Sequence, residues 1–200
     1  MFKEIPIIYA PIQQFNSLSG LSIFYHEFGH NVIAKFPEIT TNLLRIVYTH
    51  YDELKQNVGI MNPQQRDQRN EQIGNAIRYW DNTKLNELFC DIFATYICGP
   101  PYYYSNVDFA IKIDSDIFNV EKPSTHPCWA VRVRSSYNTL LDVHKTDEVV
   151  EVTKRSWEEH KKNFSKGPFF ELFCSELLVN KLIHQSILDI DRLLNVEQCC

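Results

Sequence analysis

The sequence predicts a mainly α-helical fold, and three observations carry that reading. Apolar residues recur at three- and four-residue spacing through most of the chain. Prolines fall between those periodic segments rather than inside them. Cap and stop residues such as Ser17, Pro37 and Gly99 bound those segments, and only the first ten residues read otherwise. There Ile5-Pro6-Ile7-Ile8-Tyr9-Ala10-Pro11 is β-branched and bracketed by proline, which suits a minimal edge strand or small sheet. At 200 residues with 44% hydrophobic content, the chain is expected to be one domain with a single core.

The elements follow in order. Ser17 caps a helix through the apolar run that begins at Leu18 and stops at Pro37. Leu18, Leu21, Ile23, Phe24, Tyr25, Phe28, Val32 and Ile33 lie on nearly every side of it, so a buried helix is expected. Thr40 or Thr41 opens the next, with the stripe Leu44, Val47, Tyr51, Leu54 and Val58, and Gly59 ends it. Residues 61–72 are very polar and read as an exposed helix start after Asn62-Pro63, or as a mobile loop. Asn82 or Thr83 caps a strong helix to Cys98, lined by Leu85, Leu88, Phe89, Ile92, Phe93, Tyr96 and Ile97. Gly99-Pro100-Pro101 stops it, and a short helix runs on from Tyr102-Tyr103-Tyr104 to Ile113. Pro127 suits the first turn of a further helix whose inner face is Val133, Tyr137, Leu140, Leu141 and His144. A charged helix from Thr146 to Phe164 follows. After Gly167-Pro168, a last helical region from Phe169 to Leu194 carries Phe170, Phe173, Leu177, Leu178 and Leu182.

A net charge of −5, with scattered basic residues, argues against a nucleic-acid or anionic-membrane surface. No stretch reaches ~18 apolar residues, so no membrane span is expected. The start lacks the charged and apolar regions of a signal peptide. The cysteines Cys90, Cys98, Cys128, Cys174, Cys199 and Cys200 form no C-x-x-C pair, and reduced thiols in a cytoplasmic setting are expected. Cys199-Cys200 reads either as a frayed end or as the edge of a domain cut from a longer protein.

The chemistry concentrates at His26-Glu27-Phe28-Gly29-His30, an H-E-x-x-H sequence. On a helix the two histidines stand one turn apart on one face, where both reach a single zinc ion. Glu27 then lies beside the metal, placed to take a proton from the attacking water. Two histidines are insufficient, because a catalytic zinc has three protein ligands and an open position. The Gly and His that a metzincin needs after the motif are replaced by Ile33 and Phe36, and no cysteine lies upstream of His26.

Glu87 is the best third ligand. It shares a narrow stripe with Asp91, Ala94 and Cys98 beside the apolar face of its helix. Carboxylates in such a place are costly unless paired or metal-bound. Asp91, one turn on, is placed to accept a hydrogen bond from the free ring nitrogen of a zinc-binding histidine. The competing reading is a helix boundary carrying solvated acids.

These residues resemble a family. His26-Glu27-Phe28-Gly29-His30, then Asn86-Glu87-Leu88-Phe89-Cys90-Asp91 with Ala94, then Thr125-His126-Pro127 with Arg132, are similar to the gluzincin metallopeptidases. The likeness is greatest to the branch of HtpX-type and CAAX-prenyl-type proteases and the soluble minigluzincins, over about residues 20–135. It implies a single zincin-like domain over 1–200, with zinc ligands His26, His30 and Glu87 in residues 1–100 and a helical lobe in 101–200. It also implies the general base Glu27 and an orienting Asp91. Gluzincins place a sheet before the motif helix, and the short segment before His26 leaves room for one strand and little more.

His126, in a loop before a helix, is read as an oxyanion donor or as a helix cap. Arg132 is read as bracing Asp91 or Glu87, binding substrate carbonyls, or lying on the surface. Tyr96 and Tyr102–Tyr104 are read chiefly as packing, and His50, His144, His160 and His184 as ordinary helical histidines. The expected function is zinc-dependent hydrolysis of a peptide or protein substrate, with Zn2+ as cofactor. Two rivals are an inactive domain of the same fold that binds a partner, and a helical domain with a structural zinc, closed by Cys90 or His126 as a fourth ligand.

Overall fold

The computed structural model describes residues 18–56, 62–113, 116–144 and 146–197, and these are mainly α-helical with no strand among them. The expected edge strand at Ile5–Ala10, the Gly59 stop, Val58 and Cys199-Cys200 lie outside the described residues.

The helices are α1 (Leu18–Lys35), α2 (Glu38–Gln56), α3 (Pro63–Tyr79), α4 (Asn82–Cys98) and α5 (Pro100–Lys112), followed by α6 (Trp129–Val143), α7 (Glu148–Lys161), α8 (Phe170–Phe173) and α9 (Glu176–Glu197). At the centre is α4, packed on α1, α2, α5, α6 and α9. Its Leu85, Leu88, Phe89 and Ile92 are fully buried, and Cys90, Asp91, Ala94 and Thr95 are buried on its other side. Burial all round is the property of a helix at the middle of a bundle. One hydrophobic cluster joins α2, α4, α6 and α9 through Leu43, Val47, Val131, Leu140, Leu178 and Leu182.

Helix starts follow capping chemistry more than apolar periodicity. Asp81, rather than Asn82 or Thr83, caps α4 by accepting from Lys84 N at 2.8 Å, as a short carboxylate at that position does. Asp147 caps α7 by accepting from Val150 N, so that helix starts at Glu148 and ends at Lys161. The polar stretch after Asn62 is helix α3, with Asn62 accepting from Gln65 N and Pro63 in the first turn. Glu38 begins α2 directly after Pro37, and Thr40 is instead buried, donating to Asn86 Oδ1 at 2.6 Å. Its inner stripe is Ile39, Leu43, Val47 and Tyr51, with Leu44 and Leu54 at the margin.

Several expectations are corrected. Only Ser22, His26, Gly29 and Ile33 of the described α1 positions are buried, whereas Tyr25 and Phe28 are 39% and 40% exposed. The reason is that α1 packs mainly on α4 and α5, which lie to one side of it. Pro127 stands before α6, and Cys128 occupies the N-cap position. Leu141 and Leu177 are exposed, as is Ile97 at its margin. Proline does not delay α5, which starts at Pro100 and includes all three tyrosines. Gly99 makes the sharp turn between α4 and α5 with φ 68°, a left-handed conformation that favours glycine. The last helical region is two helices broken at Cys174-Ser175. Side chains satisfy the freed carbonyls there: Trp80 Nε1 donates to Phe173 O, Tyr51 Oη to Leu172 O, and Arg134 Nη2 to Cys174 O.

Candidate metal centre

The centre lies where α1 crosses α4. A Cβ added to Gly29 would sit 3.0 Å from Cys90 Sγ and 3.1 Å from Cys90 Cα, so only glycine allows this approach. The close crossing brings His26 and His30 over Glu87. His26 Nε2 is 3.0 Å from Glu87 Oε2, and His30 Nε2 is 3.7 Å from Glu87 Oε1. Gly29→Ala is expected to push α1 off α4 by a few tenths of an ångström and weaken zinc binding about tenfold or more. Competition against a chromophoric chelator checks this, and unchanged affinity refutes the packing role of Gly29.

Beneath the histidines lies a fully buried carboxylate. Arg132 grips Asp91 in a two-pronged, charge-assisted contact. Its Nε donates to Asp91 Oδ2 at 2.7 Å. Its Nη2 donates to Asp91 Oδ1 at 2.8 Å. Tyr102 Oη donates to Asp91 Oδ1 at 2.5 Å. His26 Nδ1 lies 3.0 Å from both Asp91 Oδ1 and Tyr102 Oη, which fixes its proton on Nδ1 and turns Nε2 toward Glu87. Trp129 backs the Arg132 guanidinium, whose central carbon is 4.5 Å from the ring centroid, within cation–π range.

The loop before α6 delivers His126. Its Nε2 is 3.0 Å from Glu87 Oε2, its backbone N–H donates to Ser124 Oγ, and its Nδ1 pairs with Thr125 Oγ1. His126 is therefore no helix cap; it faces the same carboxylate oxygen as His26. The Glu27 carboxylate makes no hydrogen bond or ion pair among the described residues. A groove of about 710 Å³ opens beside His126 and Arg132, walled by Phe109, Ile113 and Trp129.

The donor types of His26, His30 and Glu87 are those that zinc takes. Ligands held at about 2.0–2.2 Å in tetrahedral geometry stand roughly 3.3–3.6 Å apart. The His26–Glu87 and His30–Glu87 separations are close to that. Two overlapping groups lie within 4.8 Å: His26, Glu87 and His126, and His26, His30 and Cys90. Cys90, from sequence only a rival ligand for a closed site, and Tyr102, which reads from sequence as packing, both join the centre. The link from Tyr102 to Asp91 crosses the Gly99 turn, so no helical period connects them.

A protonated His26 bridges Asp91 and Glu87 through its two ring nitrogens. Burial disfavours a charged His26, but hydrogen bonds to Asp91 and Glu87 and the Asp91 charge outweigh it and raise its pKa from 6.5 to about 9. Burial likewise opposes a charged Glu87, but hydrogen bonds from His126 and His26 bring it from 4.5 down to about 2. Arg132 overcomes the desolvation of Asp91 and holds it well below the usual carboxylate range. The His26 contribution is complete below pH 6.5 and lost as pH rises through 9; the Glu87 contribution is complete above pH 4.5 and lost as pH falls through 2. The metal-free protein is thus expected to be most stable between pH 4.5 and 6.5 and to lose a few kcal/mol by pH 9. Zinc requires neutral imidazole, so it should reverse the alkaline loss. Thermal midpoints across pH, with and without zinc, check this; a flat alkaline limb in metal-free protein refutes it.

No family model, curated protein or solved structure matches this chain. The described helices include none long and apolar enough to cross a membrane.

Proposed function

We propose that this protein is a zinc-dependent metallopeptidase of gluzincin type, with His26, His30 and Glu87 holding the metal and Glu27 as general base. The observation that carries the reading is the convergence of both motif histidines on Glu87, a residue from a different helix, at 3.0 and 3.7 Å. When bound there, zinc supplies Lewis acidity that activates water and polarises a carbonyl. Asp91 and Tyr102 keep His26 in the tautomer that presents Nε2, and Arg132 holds Asp91 charged. Glu27, whose carboxylate has no partner among the described residues, accepts a proton and passes it to the leaving amine. His126, whose Nε2 is 3.0 Å from Glu87 Oε2, would be the donor for a developing oxyanion if Glu87 held a metal. The groove walled by Phe109 and Trp129 takes an apolar stretch of peptide or protein substrate. The unpaired thiols of Cys90, Cys98, Cys128 and Cys174 support a cytoplasmic setting.

A second reading has its own observation. Cys90 groups with His26 and His30, and His126 with His26 and Glu87, so either is a candidate fourth ligand of a closed, structural site. The two readings separate on substitution. Reconstituted protein should bind one zinc per chain and cleave peptides, and Cys90→Ala should leave zinc affinity within about twofold. Loss of zinc in Cys90→Ala or His126→Ala favours the structural site, and no zinc at all after reconstitution overturns both.

A further inference from the structure

On the face of α6 away from Asp91, the chain builds a second cavity. Arg132 and Arg134 stand two residues apart, about 200° around the helix, so one faces the metal centre and the other faces away. The cavity is partly open, has a volume of about 150 Å³ and lies among α5, α6, α7 and α8. That volume holds about five waters or one benzene-sized ring. Its walls include the aromatic rings of Trp157, Phe118 and Phe170.

Three donors meet in this lining. Tyr103 is 1% exposed, yet its hydroxyl has no hydrogen-bond partner among the described residues. Burial pushes its pKa far up, so the hydroxyl stays a neutral donor. Arg134 spends Nη2 on Cys174 O, while its Nε is buried without a partner. Lys154 donates to Tyr137 Oη at 2.8 Å and forms no ion pair among the described residues. The other lysines are engaged, Lys161 with Glu158 and Lys166 with Glu171. A buried donor without an acceptor is costly, so the Arg134 Nε, with the Tyr103 hydroxyl and the Lys154 amine lining the same aromatic-walled cavity, points to a ligand that supplies the acceptors.

We propose that this cavity binds a compact anion carried on a flat ring, such as an aryl carboxylate or an aryl phosphate. The ring packs between Trp157 and Phe170, and the anion accepts from Tyr103, Arg134 and Lys154. The proposal does not depend on the metal centre.

Titration calorimetry of the full chain with benzoate, phenyl phosphate, inorganic phosphate and benzyl alcohol tests it. Benzoate or phenyl phosphate should bind at millimolar Kd or tighter, and whichever is tighter identifies the headgroup. Tyr103→Phe removes only an unbonded hydroxyl, and Lys154→Met a half-exposed charge; each should weaken binding about tenfold without lowering the thermal midpoint. Failure of both aryl anions to bind overturns the proposal. So does equal binding of benzyl alcohol, equal binding of inorganic phosphate, or unchanged affinity in both variants.

Discussion

A Glu27→Gln variant is expected to keep one zinc per chain and to lose peptide cleavage by about 10²–10⁴-fold, the usual worth of a positioned general base. The amide preserves the shape of the side chain and removes only its capacity to take a proton. Zinc should stay because the proposed ligands His26, His30 and Glu87 are untouched, and because Glu27 itself bonds to none of them. Metal analysis and turnover of a peptide substrate by the two proteins, side by side, decide the matter. Parent-level cleavage by the variant would remove Glu27 from the mechanism. Zinc lost along with activity would mean that Glu27 helps to build the site.

Replacing Asp91 should do the greatest structural damage. Its carboxylate is fully buried and answers the charge of Arg132, itself buried. Asp91→Ala strands that guanidinium and the Tyr102 hydroxyl, at an expected cost of about 3–5 kcal/mol in urea unfolding. The double variant Asp91→Asn, Arg132→Met removes both charges together and should recover most of that stability. It should not recover metal affinity, because the amide holds the His26 tautomer less firmly; a loss of about 10–100-fold is expected. Recovery of both properties would reduce Asp91 to a folding element. Failure to recover stability would show that the pair acts beyond charge compensation.

Much of the fold was readable in advance because helices announce themselves locally. The three- and four-residue recurrence of apolar residues and the stops at Pro37 and Gly99 lie within single elements, and the described residues are mainly α as they imply. Errors arose where a neighbouring element decides. Tyr25 and Phe28 read as core because their helix is apolar on many sides, but its partners α4 and α5 cover one face. The break at Cys174-Ser175 was invisible because its carbonyls are satisfied by Tyr51 and Trp80, residues far away in the chain.

The same division holds at the centre. The local order of residues already specifies which groups can act: two histidines and a glutamate at helical spacing, and a glutamate and an aspartate one turn apart. Their spacing is a property of one helix, so it needs no fold to be read. How they meet is settled by the packing of helices. That packing sets Glu87 against His26, His30 and His126, joins Tyr102 to Asp91 across the Gly99 turn, brings Cys90 beside the histidines, and gathers Tyr103, Arg134 and Lys154 around a separate cavity. Contacts between helices depend on crossing distance and on small residues such as Gly29, and no periodicity along one stretch of sequence encodes them.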